Sequence, residues 1–276
     1  MRVNEKLVFH GLKPGDYIHP KDIAFRNSNG KDAGLAARGL STLSNASLAV
    51  SRRITEGRYV EVSEETAPYL VGILRDVCKI LDVPYVPRLF IGHERSTNTT
   101  VGGAGDECSQ ILLPDYIAQE YDEDMLYYIL GNAVAMLKAG HVKLATVCSV
   151  MVDSPVTQLF EMVIEAWMRA ADLSSDRGGL LACQSYAAAA RCIMAEAGLP
   201  PREMRGMTDP EVVELADAFM IGADEVCPNW MANLSKIWKK MNWSASPPVE
   251  RLRELTAWYN NEYPALIEKW KGGELY

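Results

Sequence analysis

Leu126-Tyr127-Tyr128-Ile129-Leu130-Gly131-Asn132-Ala133-Val134-Ala135-Met136-Leu137-Lys138-Ala139-Gly140-His141 decides how this chain is read. Leu126, Ile129, Leu130, Ala133 and Leu137 recur at the i, i+3, i+4 spacing of a buried helical stripe. Asp122-Glu123-Asp124 supplies acidic residues for the first turn, where the helix dipole favours negative charge, and Gly140 ends the pattern. The spacing predicts a helix from Asp122 to about Gly140.

Outward from this helix the chain divides into a strand-bearing stretch before it and a helical stretch after it. Arg58 to Val62 alternates as a short strand, and a helix follows over about 65–81, with Leu70, Ile73, Leu74, Val77 and Leu81 on one face. Arg88 to Gly92, Thr99 to Val101 and Ser109 to Leu113 are short apolar or β-branched runs bounded by turn residues, and they read as strands. Gly102 to Asp106 is the turn between the last two. A helix is expected over 33–55 and a long one over 154–181, then shorter ones over 184–197, 209–222 and 248–270. No linker rich in Gly, Ser or Pro divides the chain. The expectation is one α+β domain over 1–276, mostly helical with a small sheet, with residues 1–20 irregular and 200–276 a helical C-terminal part.

Composition narrows the function classes. With 28 basic and 36 acidic residues the net charge is -8, and no Lys/Arg run tracks a phosphate backbone, which argues against nucleic acid as a partner. No segment offers the roughly 18 apolar residues of a membrane helix or the apolar core of a signal peptide, so a cytoplasmic location without membrane contact is expected. Six cysteines occur without a CxxC pair, the pattern of buried thiols in a reducing compartment.

Two segments carry a resemblance. The run from Leu126 to His141 is similar to the zinc-binding helix of HtpX-like gluzincin metallopeptidases, which carries HExxH. Trp167-Met168-Arg169-Ala170-Ala171-Asp172-Leu173-Ser174-Ser175-Asp176-Arg177-Gly178-Gly179-Leu180-Leu181-Ala182-Cys183 resembles that family's "W.rkaElsaDRagLLa" segment. Weaker likenesses follow the same order: His19-Pro20-Lys21-Asp22, Ile80 to Pro84 with Asn98 to Gly102, and Pro247-Pro248-Val249-Glu250-Arg251-Leu252. The resemblance implies a gluzincin-like fold.

In such enzymes two histidines four residues apart share one helical face and one zinc ion, a Glu from a second helix completes the protein ligands, and the Glu within HExxH takes a proton from metal-bound water. Carried onto this chain, the first ligand position is Asn132, the base is Ala133, the second ligand is Met136 and the third is Asp172. All four residue types have changed. A carboxamide and a thioether are poor zinc ligands beside imidazole, and Ala133 has no proton acceptor. Asp176 and Arg177 keep positions that in the family support the site from outside the ligand set.

The resemblance therefore implies a catalytically inactive metallopeptidase homologue, without zinc or any other cofactor, acting as a binding or scaffold protein. The alternative is an active metalloprotease with an atypical metal site built on Asp172 and Asp176. These two lie one turn apart and repel unless a donor intervenes, for which the Asn132 amide is placed and whose charge Arg177 could offset. Met136 either lines a pocket or fills core space. His141 follows Asn132 by about 900° of helix, on the opposite face, and is expected to cap or pack rather than ligate. A protein or peptide partner is expected at a sheet edge near residues 98–113, since peptides add to sheets through backbone groups alone.

Overall fold

A computed structural model describes residues 6–27, 59–93, 99–103, 107–142, 157–225 and 246–272. The helix expected over 33–55, Asn98, and the later part of the turn expected over 102–106 lie outside the described residues. The architecture is α+β, mostly helical with one small sheet.

Helix α1 covers residues 20–27 and starts at Pro20, where a missing backbone N–H costs nothing. Strand β1 (Val60–Val62) precedes α2 (Pro68–Ile80), whose Leu70, Ile73, Leu74 and Val77 form the expected buried stripe. The helix opens later than expected because Glu64 to Thr66 form a turn and Pro68 takes a first-turn position. Strands β2 (Arg88–Gly92), β3 (Thr100–Gly102) and β4 (Gln110–Pro114) complete a four-stranded sheet in the order β1-β2-β4-β3. β2 and β4 run parallel, and β3 returns antiparallel to β4 with Val101 opposite Ile111. The region near 98–113 is thus not all edge: β3 ends the sheet, whereas β4 is enclosed between β2 and β3.

Helix α3 (Asp115–Glu120) follows β4 directly, and six residues are too few to show a helical period in the sequence. Helix α4 (Glu123–Lys138) is capped by Asp122, whose side chain accepts from the Met125 amide at 3.0 Å. Eleven of its residues are buried, from Met125 to Leu137, because α4 is covered all round. Its main neighbour is α5 (Thr157–Cys183), and α2, β3 and α6 (Tyr186–Glu196) pack on other sides.

Glycines set how close α4 and α5 come. A methyl group at Gly131 would stand 2.3 Å from Ala182 Cβ, and one at Gly178 would stand 2.1 Å from Ala135 Cβ. Neither position leaves room for a side chain. Gly140, at φ +73°, then turns the chain out of α4, a conformation glycine adopts without strain.

Beyond α7 (Asp209–Glu225), the described residues 246–272 form α8 (Pro248–Asn261) and α9 (Tyr263–Lys271) rather than one helix over 248–270. Pro264 cannot donate within a continuing helix, so the break falls just before it. Among the described residues no helix is long and apolar enough to cross a membrane.

Candidate functional site

Asn132 and Met136, one turn apart on α4, and Asp172 on α5 all line one cavity of about 90 Å³. Ile129 extends the α4 wall, Thr99 and Val101 bring β3 to the rim, and Glu196 of α6 and Arg251 of α8 complete the lining. Ala133 is not part of it. Its methyl is fully buried in the core, as one step of 100° from Asn132 requires.

Arg251 organises the charges. Its Nε donates to Asp176 Oδ2 at 2.8 Å and its Nη2 to Asp176 Oδ1 at 2.6 Å, the two-pronged geometry that suits guanidinium to carboxylate. Nη1 donates to Glu196. Arg251 is only 5% exposed and Asp176 1%, so the pair is effectively dry. Burial works against the guanidinium's charge, but Asp176 and Glu196 more than offset it and hold Arg251 protonated.

Asp176 is further held by neutral donors. The Tyr128 hydroxyl reaches Oδ1 at 2.8 Å and the Asn132 amide reaches it at 2.9 Å. Burial, then Asp176, pushes the Tyr128 phenol well above its ordinary range and keeps it a donor. The Asn132 contact is the donor role expected from the sequence. Arg177 departs from expectation: one residue beyond Asp176, it is rotated away from the cavity. It donates to the Ile18 carbonyl at 3.5 Å, approaches Glu262 at 4.0 Å and lies 5.1 Å over the Trp258 ring.

Asp172 is held more lightly. Its Oδ2 accepts from the Ser246 amide at 2.9 Å, and among the described residues Oδ1 has no donor. Burial pushes the Asp172 carboxyl up to about 6 against the pull of Arg251, and Glu196 is pushed up to about 7, again chiefly by burial. Among the described residues that line the cavity, Arg251 is the one cation beside these two carboxyls.

His141 lies well away from the cavity. It is 2% exposed, and its Nε2 meets Asp22 Oδ2 at 2.7 Å. Asp22 also accepts from Arg26 at 2.8 Å, Trp167 Nε1 at 3.1 Å and Ser174 Oγ at 2.9 Å, so this one carboxylate ties α1 to α5 and to the end of α4. Burial opposes its charge, yet His141 and Arg26 hold Asp22 well below the ordinary carboxylate range. Burial lowers the His141 pKa, and among the described residues its Nδ1 has no partner, so the ring is neutral with its proton on Nε2. A second proton would be buried without an acceptor.

Sequence reasoning missed Arg251, Glu196 and Tyr128 as parts of the site. Arg251 sits inside the Pro247–Leu252 likeness, but nothing local marks a pairing across 75 residues. Among the described residues no group of three or more His, Cys, Asp or Glu side chains is arranged to hold a metal ion. Comparisons of the chain with known protein families, with curated proteins and with solved structures find no match.

Proposed function

We propose that the chain is a cytoplasmic, non-hydrolytic relative of the HtpX-like gluzincins that binds an extended peptide along β3. One observation carries this reading: the three positions that the resemblance assigns to zinc ligands, drawn from two helices, line a single cavity at the rim of an edge strand. Nothing in helical periodicity alone brings Asn132, Met136 and Asp172 to one cavity.

The side chains present do not fit zinc. The Asn132 amide is committed to Asp176, Met136 offers a thioether, and Asp172 is the one carboxylate among the three ligand positions. Arg251 is also already bound to Asp176 and Glu196, which leaves Asp172 as the one cavity-lining carboxyl to which it donates no hydrogen bond. No hydrolytic step follows from such a set, and Ala133 supplies no base. The alternative metal site on Asp172 and Asp176 draws no support from Asp176, both of whose oxygens are held by Arg251.

A sheet edge remains usable without a metal. β3 is the last strand of the described sheet, Thr100 is exposed, and an edge strand offers backbone groups to an added strand. The test is a pair of measurements on the full chain. Elemental analysis after dialysis should find no stoichiometric zinc, and a strand-forming peptide should bind wild type and bind Thr100→Pro at least about ten-fold more weakly. One zinc per chain, or casein cleavage abolished by a chelator, would overturn the proposal, as would peptide affinity indifferent to Thr100→Pro.

A further inference from the structure

We infer that the cavity beneath β3 takes a lysine side chain from the bound peptide. This rests on the peptide-binding reading above and adds the chemistry of the residue that is selected. The walls are of two kinds: Val101, Ile129 and Met136 are apolar, whereas Asp172, Glu196 and Asn132 present oxygen acceptors. A lysine matches both, with methylenes for the apolar walls and a compact ammonium with three donors for the acceptors.

The acceptors are there to be used. Among the described residues neither Asp172 Oδ1 nor the Asn132 carbonyl oxygen receives a hydrogen bond, although both residues line the cavity. The charge balance points the same way. Asp172, Asp176 and Glu196 carry three negative charges when ionised, and Arg251, the one cation lining the cavity among the described residues, already spans Asp176 and Glu196. Tyr128 adds a neutral donor and Arg169 acts on Asp172 only weakly, from outside the lining. A second guanidinium would have to stack against Arg251, while an ammonium on a flexible stem need not. A volume of about 90 Å³ equals roughly three waters, enough for the head of a lysine and its last methylenes.

Position along the strand follows from the sheet. Thr99 and Val101 line the cavity and Thr100 between them is exposed, the two-residue alternation of a strand. A peptide strand paired with β3 would alternate likewise, so every second residue of it faces the cavity side, and the central residue of a pentapeptide is the one flanked by paired strand on both sides.

The experiment uses the full chain and blocked pentapeptides of sequence Val-Thr-X-Thr-Val, with lysine, norleucine or glutamate at X, followed by fluorescence anisotropy at pH 8. The lysine peptide should bind about ten-fold more tightly than norleucine, with glutamate weakest. In Asp172→Asn the lysine-to-norleucine ratio should fall to about two. In wild type the same ratio should shrink as pH falls from 8 to 5 and the cavity carboxylates take up protons, a readout that needs no variant. Equal binding of lysine and norleucine would overturn this inference and leave peptide binding along β3 intact. Failure of all three peptides would overturn both.

Discussion

Replacing Glu196 with glutamine should stabilise the protein at pH 8 and flatten part of its pH dependence. Glu196 is packed against Arg251, which also holds Asp176 in two-pronged contact, so the two buried carboxyls share that guanidinium. Burial, ahead of repulsion from Asp176 and Asp172, raises its carboxyl from 4.5 to about 7. A folded-state value above the unfolded one means that the folded protein binds the extra proton. The associated stability is complete below about pH 4.5 and lost as pH rises through about 7. At about 1.4 kcal/mol per pH unit the full effect has a ceiling of about 3 kcal/mol, most of which falls between pH 5 and pH 8. The glutamine side chain keeps a carbonyl to accept from Arg251 and carries no charge to lose. Urea unfolding followed by circular dichroism at pH 5, 6, 7 and 8, at fixed ionic strength, measures wild type against Glu196→Gln. His141 is neutral when folded and adds a slope of opposite sign, but it is common to both proteins and cancels in the difference. The gap should move by up to about 2–3 kcal/mol in favour of the variant from pH 5 to pH 8. A constant gap, or one moving toward wild type, would refute the account of the cluster.

Gly131→Ala should cost about 1–3 kcal/mol in urea unfolding, because the added methyl meets Ala182 at 2.3 Å and the two helices must part. Asp22→Asn should cost about 3 kcal/mol or more, since a buried carboxylate with four donor residues is lost. Because the Asp22 carboxyl is held low, its contribution is present above about pH 4 and lost on acidification, readable from tryptophan fluorescence in acid unfolding. Arg177→Ala should cost about 1–2 kcal/mol through the lost contact with Trp258 and the Ile18 carbonyl, measured by thermal melts. In the background of Arg251→Met with Glu196→Gln, the triple change Asn132→His, Met136→His and Asp172→Glu should bind about one zinc per chain, as three protein ligands allow. With Arg251 retained, elemental analysis should find less, because the guanidinium keeps its place in the same cavity beside the new ligands.

Much of the fold was legible because its elements are periodic. α4 announces itself through Leu126, Ile129, Leu130 and Leu137, and its start through the cap at Asp122. β2 was legible at Arg88–Gly92 because the run is apolar and bounded by prolines and glycine. α3 was not, since Asp115–Glu120 is too short for a period, and the break between α8 and α9 was passed over although Pro264 marks it. The cavity's α4 and α5 walls were legible as positions along two helices. Its charge partners were not: Arg251, Glu196 and Tyr128 reach Asp176 or one another across long stretches of chain, and such pairings leave no local signature. Arg177 shows the reverse error, a neighbour in sequence that a single helical step turns away from the acids.

The seam of glycines between α4 and α5 bears on how such a cavity can change its contents. Gly131 and Gly178 each lay bare main chain against an alanine methyl of the facing helix, Ala182 and Ala135, so the separation of the two helices is fixed a turn or less from Asn132 and Asp176. A spacer of that kind is indifferent to what lies beside it. Side chains at 132, 136 and 172 can therefore be exchanged, one chemistry for another, while the frame that aims them keeps its dimensions. The seam itself has no such freedom, because every substitution of its glycines adds atoms where there is no space.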